Sequence, residues 1–212
     1  MAIPSTGSST TLASNEPDVA AVREVIEELS DDGKEIIIVA HSYGAIVACE
    51  AVKGLEHQGR LKLGMSGGVI RMLFIAAWLL QEGESAPNVI GRNKMEAPWV
   101  KFDSGRIIAD DPVYAFYNDV SADVAAYWSP QITHSDVAAF ATPLKYAAWR
   151  LIPTTYVICE MDKSVLPHVQ ESMVVSTEGA VKAIRLPSGH LPMLSVPEAL
   201  SDILVQEVGK DG

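Results

Sequence analysis

Glu35-Ile-Ile-Ile-Val-Ala-His-Ser-Tyr-Gly44 joins an unbroken β-branched run to a Ser-x-Gly turn, and the apolar stretch Ala45 to Leu55 follows directly. The run does not alternate between apolar and polar residues, which is the pattern of a strand covered on both faces in a parallel sheet. Ser-x-Gly alone arises by chance in most chains. Between a strand and a helix it marks a sharp turn that lifts the serine hydroxyl clear of the backbone at a helix N-terminus. Ala40 stands where this turn usually carries glycine, and alanine is small enough for the close backbone approach. Ser42 is therefore the candidate nucleophile.

Working outward, Val19, Val22, Val25, Ile26 and Leu29 recur at helical spacing, with Pro17 suited to a first turn and Gly33 to a stop, so a helix is expected over 17–30. Residues 1–14, rich in Ser and Thr, read as a loop or flexible arm. Further buried strands are expected at 69–76, 156–159 and 181–186, with helices at 45–55, about 165–176 and 196–208. The last helix carries a capping-box signal, Ser195-x-x-Glu198, and a face of Leu200, Ile203 and Leu204. Strand and helix alternate, so the class is α/β with a parallel sheet. Residues 1–212 read as one domain, with its core in 15–80 and 151–212.

A serine hydroxyl needs a base. Of the five histidines, His41 lies in the turn itself, His57 ends a helix, His134 falls in an insertion and His168 follows a proline. His190, in Leu186-Pro-Ser-Gly-His190, sits just past the end of a strand and so faces the same sheet edge as Ser42. The base needs an orienting carboxylate, and Glu160-Met-Asp162 follows Tyr156-Val-Ile-Cys159. Asp162 is the candidate and Glu160 the reserve. The chain order Ser42, Asp162, His190 is that of α/β hydrolases.

An insertion over about 81–150 holds ten of the fourteen aromatic residues. A connection this long must contain structure of its own, and a helical lid over an apolar pocket is expected, lined by several of Trp99, Tyr114, Tyr117, Trp128, Tyr146 and Trp149.

Composition narrows the function. A net charge of -11, from 16 Lys+Arg against 27 Asp+Glu, repels phosphate backbones and anionic lipid, which speaks against nucleic-acid and membrane partners. No apolar run has the length of a membrane span, and the N-terminus lacks the pattern of a secretory signal, so a cytoplasmic location is expected. Cys49 and Cys159 lie in apolar runs and read as core thiols. No cofactor or metal motif is present.

Ile36-Ile-Ile-Val-Ala-His-Ser-Tyr-Gly44, Tyr156-Val-Ile-Cys-Glu-Met-Asp-Lys163 and Pro187-Ser-Gly-His-Leu-Pro-Met-Leu-Ser195 together resemble the α/β-hydrolase superfamily. The likeness is to the branch of small plant and fungal esterase-like proteins related to methylesterases and hydroxynitrile lyases. The resemblance implies a three-layer α/β-hydrolase fold and a Ser42, Asp162, His190 triad without a cofactor. It also implies that the family's first three strands, and the His-Gly loop that supplies one oxyanion N–H, have no counterpart here. Tyr43 N–H would be the remaining donor, with His41, Trp78, Trp128 and Tyr117 as further oxyanion or substrate-binding candidates. A small apolar ester or lactone is the expected substrate. The alternatives are a lyase, isomerase or cyclase using the same Ser and His as general acid and base, or a catalytically silent binding protein. Absence of those strands would leave residues 35–40 at an open edge, so a homodimer or a partner chain is expected to cover it.

Overall fold

The structure, a computed structural model, describes residues 3–209. The first half runs α1 (Glu16–Asp31), β1 (Glu35–His41), α2 (Gly44–Ala51), α3 (His57–Lys62) and β2 (Gly68–Ile75). The insertion contains α4 (Ala86–Arg92), β3 (Val100–Asp103), β4 (Arg106–Ala109), α5 (Pro112–Phe116), α6 (Ala122–Trp128), β5 (Ser135–Asp136) and α7 (Val137–Ala141). The chain then returns through β6 (Thr154–Cys159), α8 (Pro167–Val175), β7 (Val181–Leu186), α9 (Pro192–Ser195) and α10 (Pro197–Val208).

β1, β2, β6 and β7 form one parallel sheet in the order β1-β2-β6-β7. His41 pairs with Ile75, Ile75 with Val157, and Cys159 with Leu186, so the strands end together. That register delivers the turn after β1 and the loops after β6 and β7 to one edge. The centre of the sheet is dry, with Met72, Leu73, Phe74, Tyr156 and Val157 fully buried. Each such side chain contributes about 1.5–3 kcal/mol through burial. α2 is buried on every side, as its apolar composition requires. Leu200, Ile203 and Leu204 of α10 pack on Ile75, Val157 and Leu186.

Four expectations are corrected. β1, read as covered on both faces, is covered on one: Ile36 and Ile38 pack on the core, while on the other face Ile37 is only half-buried and Val39 is 51% exposed. Ile36 and Ile38 meet α1 and α2, which pack against each other, and β1 lies at the sheet edge, the position expected of residues 35–40. The Ser195-x-x-Glu198 signal caps nothing. α10 starts at Pro197 after Val196, and Ser195 closes α9 with its hydroxyl buried and unpartnered among the described residues.

The insertion is not purely helical, because β3, β4 and β5 form an antiparallel sheet. Its tight hairpin turns on Ser104 and Gly105, at φ 49° and 80°, the paired left-handed conformation that suits a two-residue hairpin loop. The N-terminal arm, finally, is tied down over its described part. Ser5 N–H donates to Asp18, Gly7 N–H to His134 O, and Leu12 N–H to Asp136, all away from the open edge of β1.

Candidate active site

Ser42 sits at φ 52°, a left-handed conformation that costs a residue with a side chain roughly 1–2 kcal/mol. Two backbone bonds hold it there: Ser42 N–H donates to Ile75 O at 3.1 Å, and Trp78 N–H donates to Ser42 O at 3.2 Å. The segment after β2 is braced in turn by the fully buried Tyr156. Its hydroxyl donates to Ala77 O at 2.6 Å and accepts from Ala77 N–H at 2.8 Å.

His190 Nε2 lies 3.1 Å from Ser42 Oγ, and His190 Nδ1 lies 2.8 Å from Asp162 Oδ2. Asp162 is 1% exposed, a costly place for a carboxylate unless donors surround it. They do. Oδ1 accepts from Ser164 N–H at 2.7 Å and Val165 N–H at 3.1 Å, while Oδ2 accepts from Gln170 Nε2–H at 2.9 Å as well as from His190. Cys159 N–H donates to Gln170 Oε1 at 3.0 Å, which fixes the amide with its NH₂ toward Asp162. With Nδ1–H committed to the carboxylate, Nε2 of the neutral ring is left to accept from the serine hydroxyl. Glu160, the reserve acid, turns outward to Arg185.

The imidazole of His190 is also held on its faces. Phe116 stands 5.5 Å from it, ring centre to ring centre, with Trp99 edge-on behind Phe116 at 5.1 Å. His41 stands 4.6 Å away, and its Nε2–H donates to His190 O at 2.8 Å. Burial, then the neighbouring His190, pushes the pKa of His41 down to about 3. The sign of the linkage follows. Between pH 6.5 and about 3 the unfolded chain protonates this ring and the folded chain does not, so stability falls as pH drops through that window, by up to about 1.4 kcal/mol per unit. His41→Asn is expected to flatten the acid limb of a pH-stability curve measured by urea unfolding. An unchanged slope between pH 6 and 4 would contradict this.

The remaining candidates are placed differently. Tyr43 turns its ring toward Phe140 at 4.6 Å and its hydroxyl to Asp18 at 2.6 Å, so only its N–H, which has no carbonyl partner among the described bonds, stays with the serine. Trp78 is buried and touches Ser42 through its backbone. Tyr117 is buried edge-on to Phe116 at 6.5 Å. Trp128, 39% exposed, packs edge-on with Tyr127 instead.

Of the six rings expected to line a pocket, Tyr114 is largely exposed, Tyr146 bonds Glu56 near the start of β2, and Trp149 donates to Leu80 O in the core. The aromatic on the histidine is Phe116, one position from a ring in the expected set. Two cavities of about 290 and 310 Å³ lie elsewhere, one beside Glu35, His57 and Val69 and one within the insertion beside Arg106 and His134. Neither is lined by Ser42, Asp162 or His190. Among the described residues no cluster of three or more His, Cys, Asp or Glu side chains is gathered as for a metal, and no helix is long and apolar enough to cross a membrane.

A parallel sheet with a left-handed serine at a strand-to-helix turn, and an acid and a histidine after its third and fourth strands, defines an α/β-hydrolase fold. The model of the alpha/beta hydrolase family matches residues 2–203, and the chain belongs to that family. It is an enzyme of this fold, hydrolytic or of related chemistry. The alpha/beta hydrolase nvfD of Aspergillus novofumigatus is 31% identical over 213 residues, covering 99% of this chain and 84% of that protein. Among solved structures, a pyrethroid hydrolase from Sphingobium faniae matches with a TM-score of 0.73 at 18% identity, over 96% of this chain and 81% of that one. Tomato methylketone synthase I, complexed with 2-tridecanone, matches with 0.73 at 13%, over 94% and 80%. These two structures are alike in fold.

Proposed function

We propose that the protein is a serine hydrolase of a small apolar ester or lactone. The observation that carries the reading is the unbroken relay from Ser42 Oγ through His190 to Asp162, at 3.1 and 2.8 Å. Ser42 Oγ attacks the carbonyl carbon as its proton passes to His190 Nε2, and Asp162 steadies the imidazolium. The tetrahedral oxyanion faces Tyr43 N–H at the start of α2. Collapse breaks the bond to the leaving oxygen, which takes the proton from His190. Water, deprotonated by the same nitrogen, then frees the acid. Phe116, beside His190, gives the acyl or ring portion an apolar wall. A panel of p-nitrophenyl esters and aryl lactones tests the reading: turnover that vanishes in both Ser42→Ala and His190→Ala supports it.

A second reading keeps His190 and Ser42 as a general acid/base pair in a lyase, isomerase or cyclase step without an acyl-enzyme. The 2% exposure of His190, which keeps bulk water off the base, favours it. Turnover of a non-ester substrate that survives Ser42→Ala but not His190→Ala would select it. Ligand binding with no turnover in any variant would select a silent binding protein.

We also propose that a second copy covers the open edge of β1. A two-fold axis through that edge pairs β1 antiparallel with itself and closes its unpaired backbone, where an open strand edge otherwise invites aggregation. Light scattering on the purified chain is expected to give a dimer. A stable monomer at micromolar concentration would overturn the proposal.

A further inference from the structure

We infer that the insertion positions the triad itself, through Trp99, Asn118 and Asp119; the inference rests on the serine-hydrolase reading above. Trp99 Nε1–H donates to Lys163 O at 3.1 Å, and Asn118 Nδ2–H donates to Met161 O at 3.0 Å. These two carbonyls bracket Asp162. Gly189 N–H donates to Asp119 Oδ2, one residue before His190. Three side chains of the insertion thus hold the acid and histidine loops at points adjacent to the acid and the base.

The loops have limited support of their own. Glu160 N–H donates to Leu186 O and Met161 N–H to Ser188 O at 2.9 Å, which zips them together only as far as residues 161 and 188. Beyond that point Ser164 N–H, Val165 N–H and Gln170 hold Asp162, His41 holds His190 O, and the insertion adds a tie at each place. The contact is close. A Cβ at position 189 would stand 2.4 Å from Asp119 Oδ1 and 2.6 Å from Asn118 Oδ1, so any side chain there would displace the two residues that tie the loops. Among the described residues Asp119 Oδ1 is buried without a hydrogen-bond partner, a cost borne at a residue whose other oxygen ties down the histidine loop.

The same short segment carries Phe116 on the His190 ring. Movement of 116–119 would therefore release the ring face, the acid loop and the histidine loop together.

The test compares the full-length chain with Trp99→Phe, Asn118→Ala, Asp119→Ala and Asp119→Asn, using p-nitrophenyl butyrate, with Val113→Ala as an insertion control. Loss of a side chain that positions a catalytic group is expected to lower kcat by about 10- to 100-fold with KM within about threefold of the parent. Asp119→Asn keeps an oxygen that accepts from Gly189 N–H and is expected to restore most of kcat. If Asp119→Ala does not fold, Asn118→Ala, whose side chain is exposed, carries the test. A kcat within about twofold of the parent in folded Asn118→Ala and Asp119→Ala, or a raised KM at unchanged kcat, would overturn the inference.

Failure of the underlying reading is distinguishable. If Ser42→Ala retains turnover, the assignment of Ser42 as nucleophile falls, and the inference is then read from the histidine ring NMR signals, with His190 assigned by its loss in His190→Gln. Broadening or splitting of the His190 signal in Asp119→Ala would support it, and an unaltered signal would overturn it.

Discussion

Asp162→Asn is expected to lower kcat by about 10⁴-fold while leaving the fold intact, the size of effect met when a triad aspartate becomes its amide. The reason is that every neighbour of this carboxylate is a donor. Ser164 and Val165 N–H point at one oxygen, and Gln170 and His190 at the other. Asparagine has one oxygen to offer. If it stays with the two backbone N–H groups, its NH₂ faces His190 Nδ1, which must then become an acceptor. The ring proton moves to Nε2, and the nitrogen that should take the serine proton already carries one. The reversed amide sets its NH₂ against two buried N–H groups and unpairs them. A steady-state assay with a parallel thermal melt checks this. Activity within tenfold of the parent would mean that Asp162 does not orient the base.

Ser42→Ala is expected to remove turnover by about a thousandfold or more, leaving the residual rate that oxyanion stabilisation and binding supply when a triad member is lost. Its structural cost is small. Alanine pays the same backbone strain at φ 52° as serine, and the lost hydroxyl bonded His190 in a half-buried position. A melting temperature near the parent's together with abolished turnover is the expected pair of results. Retained ester turnover would assign the chemistry to His190 acting on water.

Much of the site is legible along the chain because each triad residue sits just past an apolar strand, and strand composition is a local signal. Ile36 to Val39 announces Ser42, Tyr156 to Cys159 announces Asp162, and Val181 to Leu186 announces His190. The parallel register brings the three ends together without further information.

What was not legible depends on contacts between distant segments. Gln170 reaches back from α8 to Asp162, and nothing in Pro167-His-Val-Gln170 distinguishes it from an ordinary helical glutamine. Asn118-Asp119 reads locally as a turn, whereas its partners lie 43 and 70 residues away. Aromatic content placed the insertion over the site in outline, but which ring faces the histidine depends on how α5 is rotated, and rotation chose Phe116 over Tyr114 and Tyr117. One local signal was available and missed: Val-Lys-Phe and Ile-Ile-Ala flanking Asp103-Ser-Gly-Arg106 is a hairpin pattern.

The central claim is that Ser42 is a nucleophile activated by His190. Treatment of the folded chain with a fluorophosphonate, followed by intact mass and peptide mapping, tests it most directly. The account predicts one adduct per chain, located on Ser42, formed slowly or not at all in His190→Ala and absent in Ser42→Ala. A folded parent that remains unlabelled, or an adduct mapped to any other residue, would contradict it.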